Sequence, residues 1–245
     1  LSTDKKKCDN ISVFYWDIKN EFIDGNALKD CDHIVHLAGY PIINRWTKEN
    51  KNKMYESRIN STKLIYKYCK KLMIEPKTFI SASATGFYSE NTVSPQKEND
   101  KPGNNFLSSV VKEWEKEISR FNSIGIRTTV FRIGLVLSKD GGVLKRLYPI
   151  FKLFLGVPIG SGKQMISWIH ESDMIGILKI AIDDKSFKGI FNAVAPDRVT
   201  NIQFTKSLLK TLNRFSYPSF VKAPSVIVKL IFGEQSELVL NGLNI

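Results

Sequence analysis

Phe79-Ile-Ser-Ala-Ser-Ala-Thr-Gly-Phe-Tyr88 is the stretch on which the fold turns. Two large apolar residues lead into a run of serine and alanine and then into Thr85-Gly86, the pattern of a strand that ends in hydroxyls and a turn. Upstream, HIVHL at 33–37 is a second short strand, closed by Ala38-Gly39, and ISVFYW at 11–16 is a third, ending at Asp17. Between them and the opening stretch, Met54, Ile59, Leu64, Ile65, Tyr68 and Leu72 approximate a 3.6-residue repeat and predict one long helix over 48–72. Downstream, a polar loop at 89–105 leads to a helix from Phe106 to about Asn122, with Gly125 as its C-cap residue, and then to a strand over 127–137. Strands alternating with helices in this way predict a parallel sheet with crossover helices.

After Leu137 the character changes. Asp140-Gly141-Gly142 is a turn signal, 143–155 reads as an apolar-basic helix and 156–162 as a Gly/Pro loop. Trp168-Ile169-His170 precedes a helix opening near Glu171, a last strand is expected at 189–194, and a mostly helical tail runs from Asn201. The longest apolar run, near 226–232, is broken by Lys229, so no membrane partner is expected. The N-terminal LSTDKKKCDN lacks the layout of a signal peptide. Cys8, Cys31 and Cys69 are unclustered, which predicts no metal site and a reducing, cytoplasmic setting. The net charge of +12 is spread along the chain, densest at 5–7, 48–53 and 67–71. Such spreading reads as a basic solvated surface that favours an anionic cofactor or substrate, with no nucleic-acid partner expected.

A series of phrases then carries a resemblance. HLAGYPI (36–42), Arg45-Trp46, SRINST (57–62), SASATGFY (81–88) and FRIGLVLSKDGG (131–142) are followed by PIGSGKQMISWIH with Asp173 (158–173), FNAVAP (191–196), VTNIQF (199–204) and FGEQSELVL (232–240). In that order and spacing the chain resembles the extended short-chain dehydrogenase/reductases of the NAD-dependent epimerase/dehydratase group, in the branch that carries an extra C-terminal domain of unknown function. The resemblance implies an α/β, Rossmann-like, doubly wound parallel sheet with a smaller, mostly helical C-terminal substrate region. It divides the chain into a partial NAD(P)-binding domain (1–137), a substrate-side segment with a returning core strand (138–196) and a partial C-terminal domain (197–245). No GxxGxxG turn occurs in the sequence, and Leu1-Ser2-Thr3 matches the end of the group's second strand. The expectation is therefore a fragment or partial gene model whose sheet lacks its first two strands. Its 11–16 strand should stand apart from the sheet or pair outside it, leaving 33–37 as a bare edge.

The resemblance also implies roles. Ser83 falls at the catalytic serine, which orients a carbonyl or alcohol; read from the residues alone it is a strand-end hydroxyl satisfying local backbone. The tyrosine and lysine that accompany such a serine, four residues apart on the next helix, are missing, since Phe106 and Leu107 carry no hydroxyl and Val110 and Val111 no amine. Asp17 and Ile18 match an adenine contact. Leu37, Ala38 and Gly39 match the turn over which the cofactor lies, where small side chains admit close backbone approach, and Ser81 and Ala82 fall on the same cofactor side. Arg58 stands where many relatives carry asparagine and faces either the cofactor or solvent. Ser2 and Thr3 fall where adenosine selectivity is set; a neutral pair followed by Lys5–Lys7 points to NADP(H) over NAD(H), the alternative being a frayed basic terminus. Tyr88, Gln164, Trp168 and His170 match the substrate side. There Ile166 replaces the arginine that clamps a diphosphate in nucleotide-sugar enzymes.

Two functions remain open at this point. One is an NADP(H)-binding oxidoreductase or epimerase-like enzyme acting on a small-molecule substrate. The other is a non-catalytic NADP(H)-binding regulator or scaffold, which the missing tyrosine and lysine favour. A nucleotide-sugar epimerase stands third.

Overall fold

The computed structural model describes residues 1–3, 11–215, 217–218 and 221–245; Lys5–Lys7 and Cys8 lie outside the described residues. In chain order the elements begin with a small antiparallel ladder, β1 (Trp16–Asp17) and β2 (Phe22–Ile23), and continue with β3 (His33–His36), α1 (Lys48–Tyr55), α2 (Ser61–Lys71), β4 (Thr78–Ala84), α3 (Phe106–Ser119) and β5 (Arg127–Ile133). They go on with β6 (Leu135–Leu137), α4 (Gly142–Lys152), β7 (Met165–Ile166), β8 (Trp168–His170), α5 (Glu171–Asp183), β9 (Gly189–Ala193), β10 (Val199–Thr200), α6 (Asn201–Thr211), α7 (Ser225–Phe232) and α8 (Glu237–Leu240).

The central sheet is parallel, in the order β3-β4-β5-β9. Phe79 and Ile80 are adjacent on β4, point to opposite faces and are both fully buried, as a central strand covered on two sides requires. On one face Phe79 stacks on Phe121 at 3.9 Å between ring centroids and packs with Ile65 of α2 and Trp114 of α3. On the other, Ile80 joins Phe131, Met174 and Ala181, so α5 covers that side. Helix starts follow local chemistry: Thr47 caps α1, Asn105 caps α3, and Thr200 with Gln203 forms a reciprocal capping box on α6.

Four expectations are adjusted. Of 11–16 only Trp16 enters a ladder, with Ile23; Tyr15 bridges Ser2 in parallel, and none of these residues joins the four-stranded sheet, which begins at β3. The single helix over 48–72 is interrupted by a π turn at Glu56–Asn60. Hydroxyls enter the backbone ladder there: Ser61 Oγ donates to the Ser57 and Arg58 carbonyls, and Thr62 Oγ1 to Arg58 O. The strand over 127–137 splits at Gly134, β5 staying in the central sheet while β6 pairs with β8. Gly134 N donates to Ala193 O and Leu135 N to Ser167 O, so the chain changes partner within two residues. The helix placed over 143–155 runs from Gly142 to Lys152.

A Cβ on Gly134 would lie 2.7 Å from Ser167 O and 3.0 Å from Val194 Cγ1. Gly134→Ala is therefore expected to lower stability by about 1–3 kcal/mol, read as a lower urea midpoint with the same slope. A midpoint equal to that of the parent protein would show that the two strands do not press together at this residue.

Candidate functional site

The carboxyl ends of parallel strands are where open α/β sheets bind ligands. β3 runs out into Leu37-Ala38-Gly39, with Leu37 and Gly39 exposed. Arg58, carried by the π turn, reaches back to this turn, its Nη1 donating to Tyr40 O at 3.0 Å and to Met54 O at 3.1 Å. Its guanidinium lies so close that a Cβ on Gly39 would sit 3.0 Å from Nη2, so a larger residue there would press on the guanidinium. Trp114 lies 5.6 Å from the guanidinium carbon. No carboxylate among the described residues stands within ion-pairing distance of Arg58. Burial pulls its pKa down to about 10, which leaves it a cation at neutral pH. An uncompensated guanidinium at a strand end is a place for an anionic group.

His36 lies beneath that turn, at the end of β3 and in register with Ser81. It is buried among Trp16, Phe79 and Trp114. Ser61 Oγ gives its proton to backbone carbonyls, so at 3.0 Å it accepts from His36 Nε2–H, which leaves Nδ1 bare and without a partner. Burial, reinforced by the Arg58 charge, lowers the His36 pKa from 6.5 to about 4. The imidazole is neutral at physiological pH.

Ser83, Arg132 and Asn192 stand side by side across β4, β5 and β9. The Ser83 hydroxyl donates to Glu115 Oε1 on α3 at 2.6 Å. Arg132 grips the same carboxylate with Nε to Oε1 and Nη2 to Oε2, both at 2.8 Å. Its remaining Nη1 donates to the Tyr88 hydroxyl at 2.9 Å and to Glu98 O at 3.0 Å. Tyr88 OH passes its proton to Asn192 Oδ1 at 2.7 Å, and Arg132 also lies 3.5 Å over the Phe87 ring. Both members of the ion pair are almost entirely shielded from water. Glu115, Arg132 and Asn192 were missed from the sequence, although an arginine inside the apolar run Val130-Phe131-Arg132-Ile133 is itself a signal, because a buried charge needs a partner.

The other candidates fall into separate places. Ser2, followed by Thr3, runs beside Tyr15, just ahead of Asp17 and Ile18 in the chain, since Ser2 N donates to Phe14 O and Trp16 N to Ser2 O. Asp17 is engaged by its own turn, accepting from the Asn20 backbone and side chain and from the Tyr15 hydroxyl, and these bonds lower its pKa. Ser81 is fully buried, its hydroxyl turned to the Ala82 carbonyl, and Ala82 is half-buried. Tyr88 is likewise fully buried. Gln164 is held by Ser161 and by the Ile159 and Val239 carbonyls, away from β4. Trp168 has its indole N–H buried without a partner. His170 is exposed and caps α5, accepting from Ser172 N. The structure thus joins Leu37, Ala38, Gly39 and Arg58 in one group and Ser83 and Tyr88 in another, while Trp168 and His170 lie on β8 and Gln164 in the loop before β7.

Two predictions follow from these networks. Because the folded pKa of His36 is depressed, the unfolded chain binds more protons between pH 6.5 and about 4, and stability falls as pH drops through that window. The loss should reach about 3 kcal/mol near the lower end and be absent from His36→Gln, measured by denaturant titration across pH. Equal slopes in the two proteins would place the His36 pKa near its ordinary value. Arg132→Met leaves the Glu115 carboxylate buried without its partner and should cost about 3–5 kcal/mol, much of it restored by adding Glu115→Leu. A single variant as stable as the parent would show that the pair does not hold Ser83.

The comparisons with known proteins agree with this architecture. The family model "NAD dependent epimerase/dehydratase family" matches residues 3–193. The chain is 35% identical over 219 residues to the "epimerase family protein SDR39U1 homolog, chloroplastic" of Arabidopsis thaliana, covering 89% of this chain and 62% of that protein. The crystal structure of human epimerase family protein SDR39U1 (isoform2) with NADPH superposes with a TM-score of 0.82 at 32% identity, over 89% of this chain and 74% of that one. UDP-glucuronic acid 4-epimerase from Bacillus cereus, at a TM-score of 0.71 and 18% identity over 92% of this chain and 74% of that one, shares the fold. The α/β sheet with its open carboxyl end and the match across most of its length place this chain in the NAD dependent epimerase/dehydratase family.

Proposed function

We propose that the chain contributes to an NADP(H)-binding, oxidoreductase or epimerase-like enzyme whose cofactor lies across the carboxyl ends of β3 and β4. The observation that carries this reading is the Arg58 guanidinium, without an acidic partner among the described residues and packed over Gly39 at an exposed turn. A dinucleotide brings the negative charge that this cation lacks, and Gly39 leaves the backbone open to it. The neutral Ser2-Thr3 pair, with Ser2 bridged to Tyr15, supports NADP(H) over NAD(H), as does the NADPH of the human relative. When bound, the cofactor supplies or takes up a hydride at its nicotinamide.

The chain's own residues do the rest. Ser83 gives its proton to Glu115, which leaves its oxygen as the acceptor for a substrate hydroxyl. Arg132 fixes Glu115, and Tyr88 and Asn192 fix Arg132, so the serine is held from behind by the sheet itself. On this reading residues 1–137 serve the cofactor, 138–196 with Gln164, Trp168 and His170 serve a small substrate, and 197–245 close the substrate side. The setting proposed is cytoplasmic; among the described residues no helix is long and apolar enough to cross a membrane.

A second reading, a cofactor binder without turnover, is favoured by one observation. Leu107, in the region of the missing acid, packs towards Gly86, so apolar surface borders the strand end. Both readings are tested on the full-length protein by titrating NADPH and NADH and by following nicotinamide absorbance, with the oxidised cofactors, against a panel of small alcohols. NADPH should bind more tightly than NADH, and Arg58→Met should weaken it roughly tenfold or more, the scale of a lost charged hydrogen bond. Turnover that drops in Ser83→Ala supports the enzyme. Tight binding with no oxidation supports the second reading, and NADPH affinity unchanged in Arg58→Met removes Arg58 from the cofactor site.

A further inference from the structure

The positive charge that runs all along the sequence is sorted by the fold. Residues 141–170 and 198–233 hold ten lysines and arginines and no aspartate or glutamate, while the rest of the chain holds 26 against 24. Ten of the twelve net charges therefore belong to these two stretches, which the structure brings together. Ala223 N donates to Pro158 O and Gly160 N to Ala223 O, both at 2.8 Å, and the Tyr217 hydroxyl donates to Phe154 O at 2.6 Å. Phe154 stacks on Phe215 with ring centroids 5.3 Å apart, and the Arg214 guanidinium lies 4.7 Å over the Phe154 ring. None of the ten cations pairs with a carboxylate among the described residues.

The same stretches turn apolar side chains outward. On α7, Val226, Ile227, Leu230 and Ile231 fall at i, i+1, i+4 and i+5, one side of a helix, and all four are exposed, Leu230 at 86% and Val226 at 74%. Val228, on the opposite side, is the residue that α7 buries. A helix on the surface of a globular protein ordinarily points its polar side at water. Here the outward side is aliphatic, and the one charged residue of α7, Lys229, is exposed at its flank. At the end of α4, Leu153 and Leu155 flank Phe154 and are 68% and 65% exposed. The two patches adjoin, because the bonds of Ala223 to 158–160 set the start of α7 beside the segment that follows Leu155. A Cβ on Gly160 would lie 3.9 Å from the Ser225 Cβ.

An exposed apolar patch rimmed by charge marks an interaction surface, and the charge chooses among occupants. A second copy would set unpaired cations against unpaired cations. A nucleic acid would meet the cations with phosphates and give the aliphatic side chains nothing to enter. A bilayer rich in anionic headgroups answers both, with phosphates for the lysines and arginines and the acyl boundary for the leucines and isoleucines. No helix among the described residues is long and apolar enough to cross a membrane, and lying on one needs no such helix.

We propose that α7 and the end of α4 form a docking face for an anionic phospholipid surface, with Leu153, Leu155, Leu230 and Ile231 entering the headgroup layer and the surrounding cations holding its phosphates. The face stands independently of the cofactor reading, since none of its residues bonds to Arg58 or Ser83.

The test is cosedimentation of the full-length protein with vesicles of phosphatidylcholine alone or with about a quarter phosphatidylglycerol, beside duplex DNA as a polyanion without an apolar layer. The anionic vesicles should bind roughly tenfold or more tightly than the neutral ones, and the difference should shrink as salt rises. Leu230→Ser with Ile231→Ser should weaken vesicle binding roughly tenfold or more, and Arg146→Gln with Lys152→Gln by a similar factor. All four residues are exposed, so each pair should keep the urea midpoint of the parent. Anionic vesicles left unbound would overturn the proposal. So would DNA bound more tightly than the vesicles, or vesicle binding indifferent to the Leu230 and Ile231 pair. Dimerisation in sedimentation velocity that this pair abolishes would give the face to a second copy instead.

Discussion

A guanidinium shut away from water must be paired, and the carboxyl end of the sheet is organised around that need. Arg132 spends its donors on both oxygens of Glu115, on the Tyr88 hydroxyl and on the Glu98 carbonyl. Those four contacts tie together β5, α3, the turn after β4 and the 89–105 loop, elements distant in sequence. Such a pair adds little net stability over apolar packing, but it is intolerant of alternatives, because any arrangement that separates its members strands a charge. Ser83 and Asn192 inherit their positions from it. At the strand end the ion pair works beside apolar packing, since Phe87, Tyr88 and Val111 form a buried cluster there.

Much of the fold was legible in the sequence. The double burial of Phe79 and Ile80, the Ala38-Gly39 closure and the Gly125 cap are local signals that the structure repeats, Gly125 taking a φ of 82°. Legibility failed where a side chain or a second strand overrode the local pattern. The apolar repeat over 48–72 is unbroken as a string, yet the hydroxyls of Ser61 and Thr62 open a π turn inside it. The 127–137 run has uniform strand propensity, and only the contact of Gly134 with Ser167 and Val194 divides it. Neither partner is near in sequence.

The site was legible in outline and obscure in chemistry. Ser83 and the Gly39 turn announce themselves as strand ends. The identity of the group that receives the Ser83 proton does not, because Glu115 lies 32 residues away on a helix whose other charged residues face solvent or partner elsewhere. The Gln164 amide donates to the Ile159 and Val239 carbonyls, and His170 accepts from Ser172 N at the start of α5. Both polar residues are used by backbone groups that no pattern of spacing reveals.

The π turn at Glu56–Asn60 has a consequence for phase. Each residue of an α-helix advances by about 100°, so one residue inserted in a turn rotates everything beyond it by that angle. Met54 before the turn and Leu64 and Ile65 after it are all buried, which a helix of constant phase would satisfy without help. The π turn lies between them, and within it Arg58 is carried towards Gly39 while its neighbour Ile59 is buried in the apolar seam. Shortening the turn by one residue would leave composition nearly untouched and point a different side chain at the strand end. The chemistry offered to a ligand there is set by a register as much as by a residue.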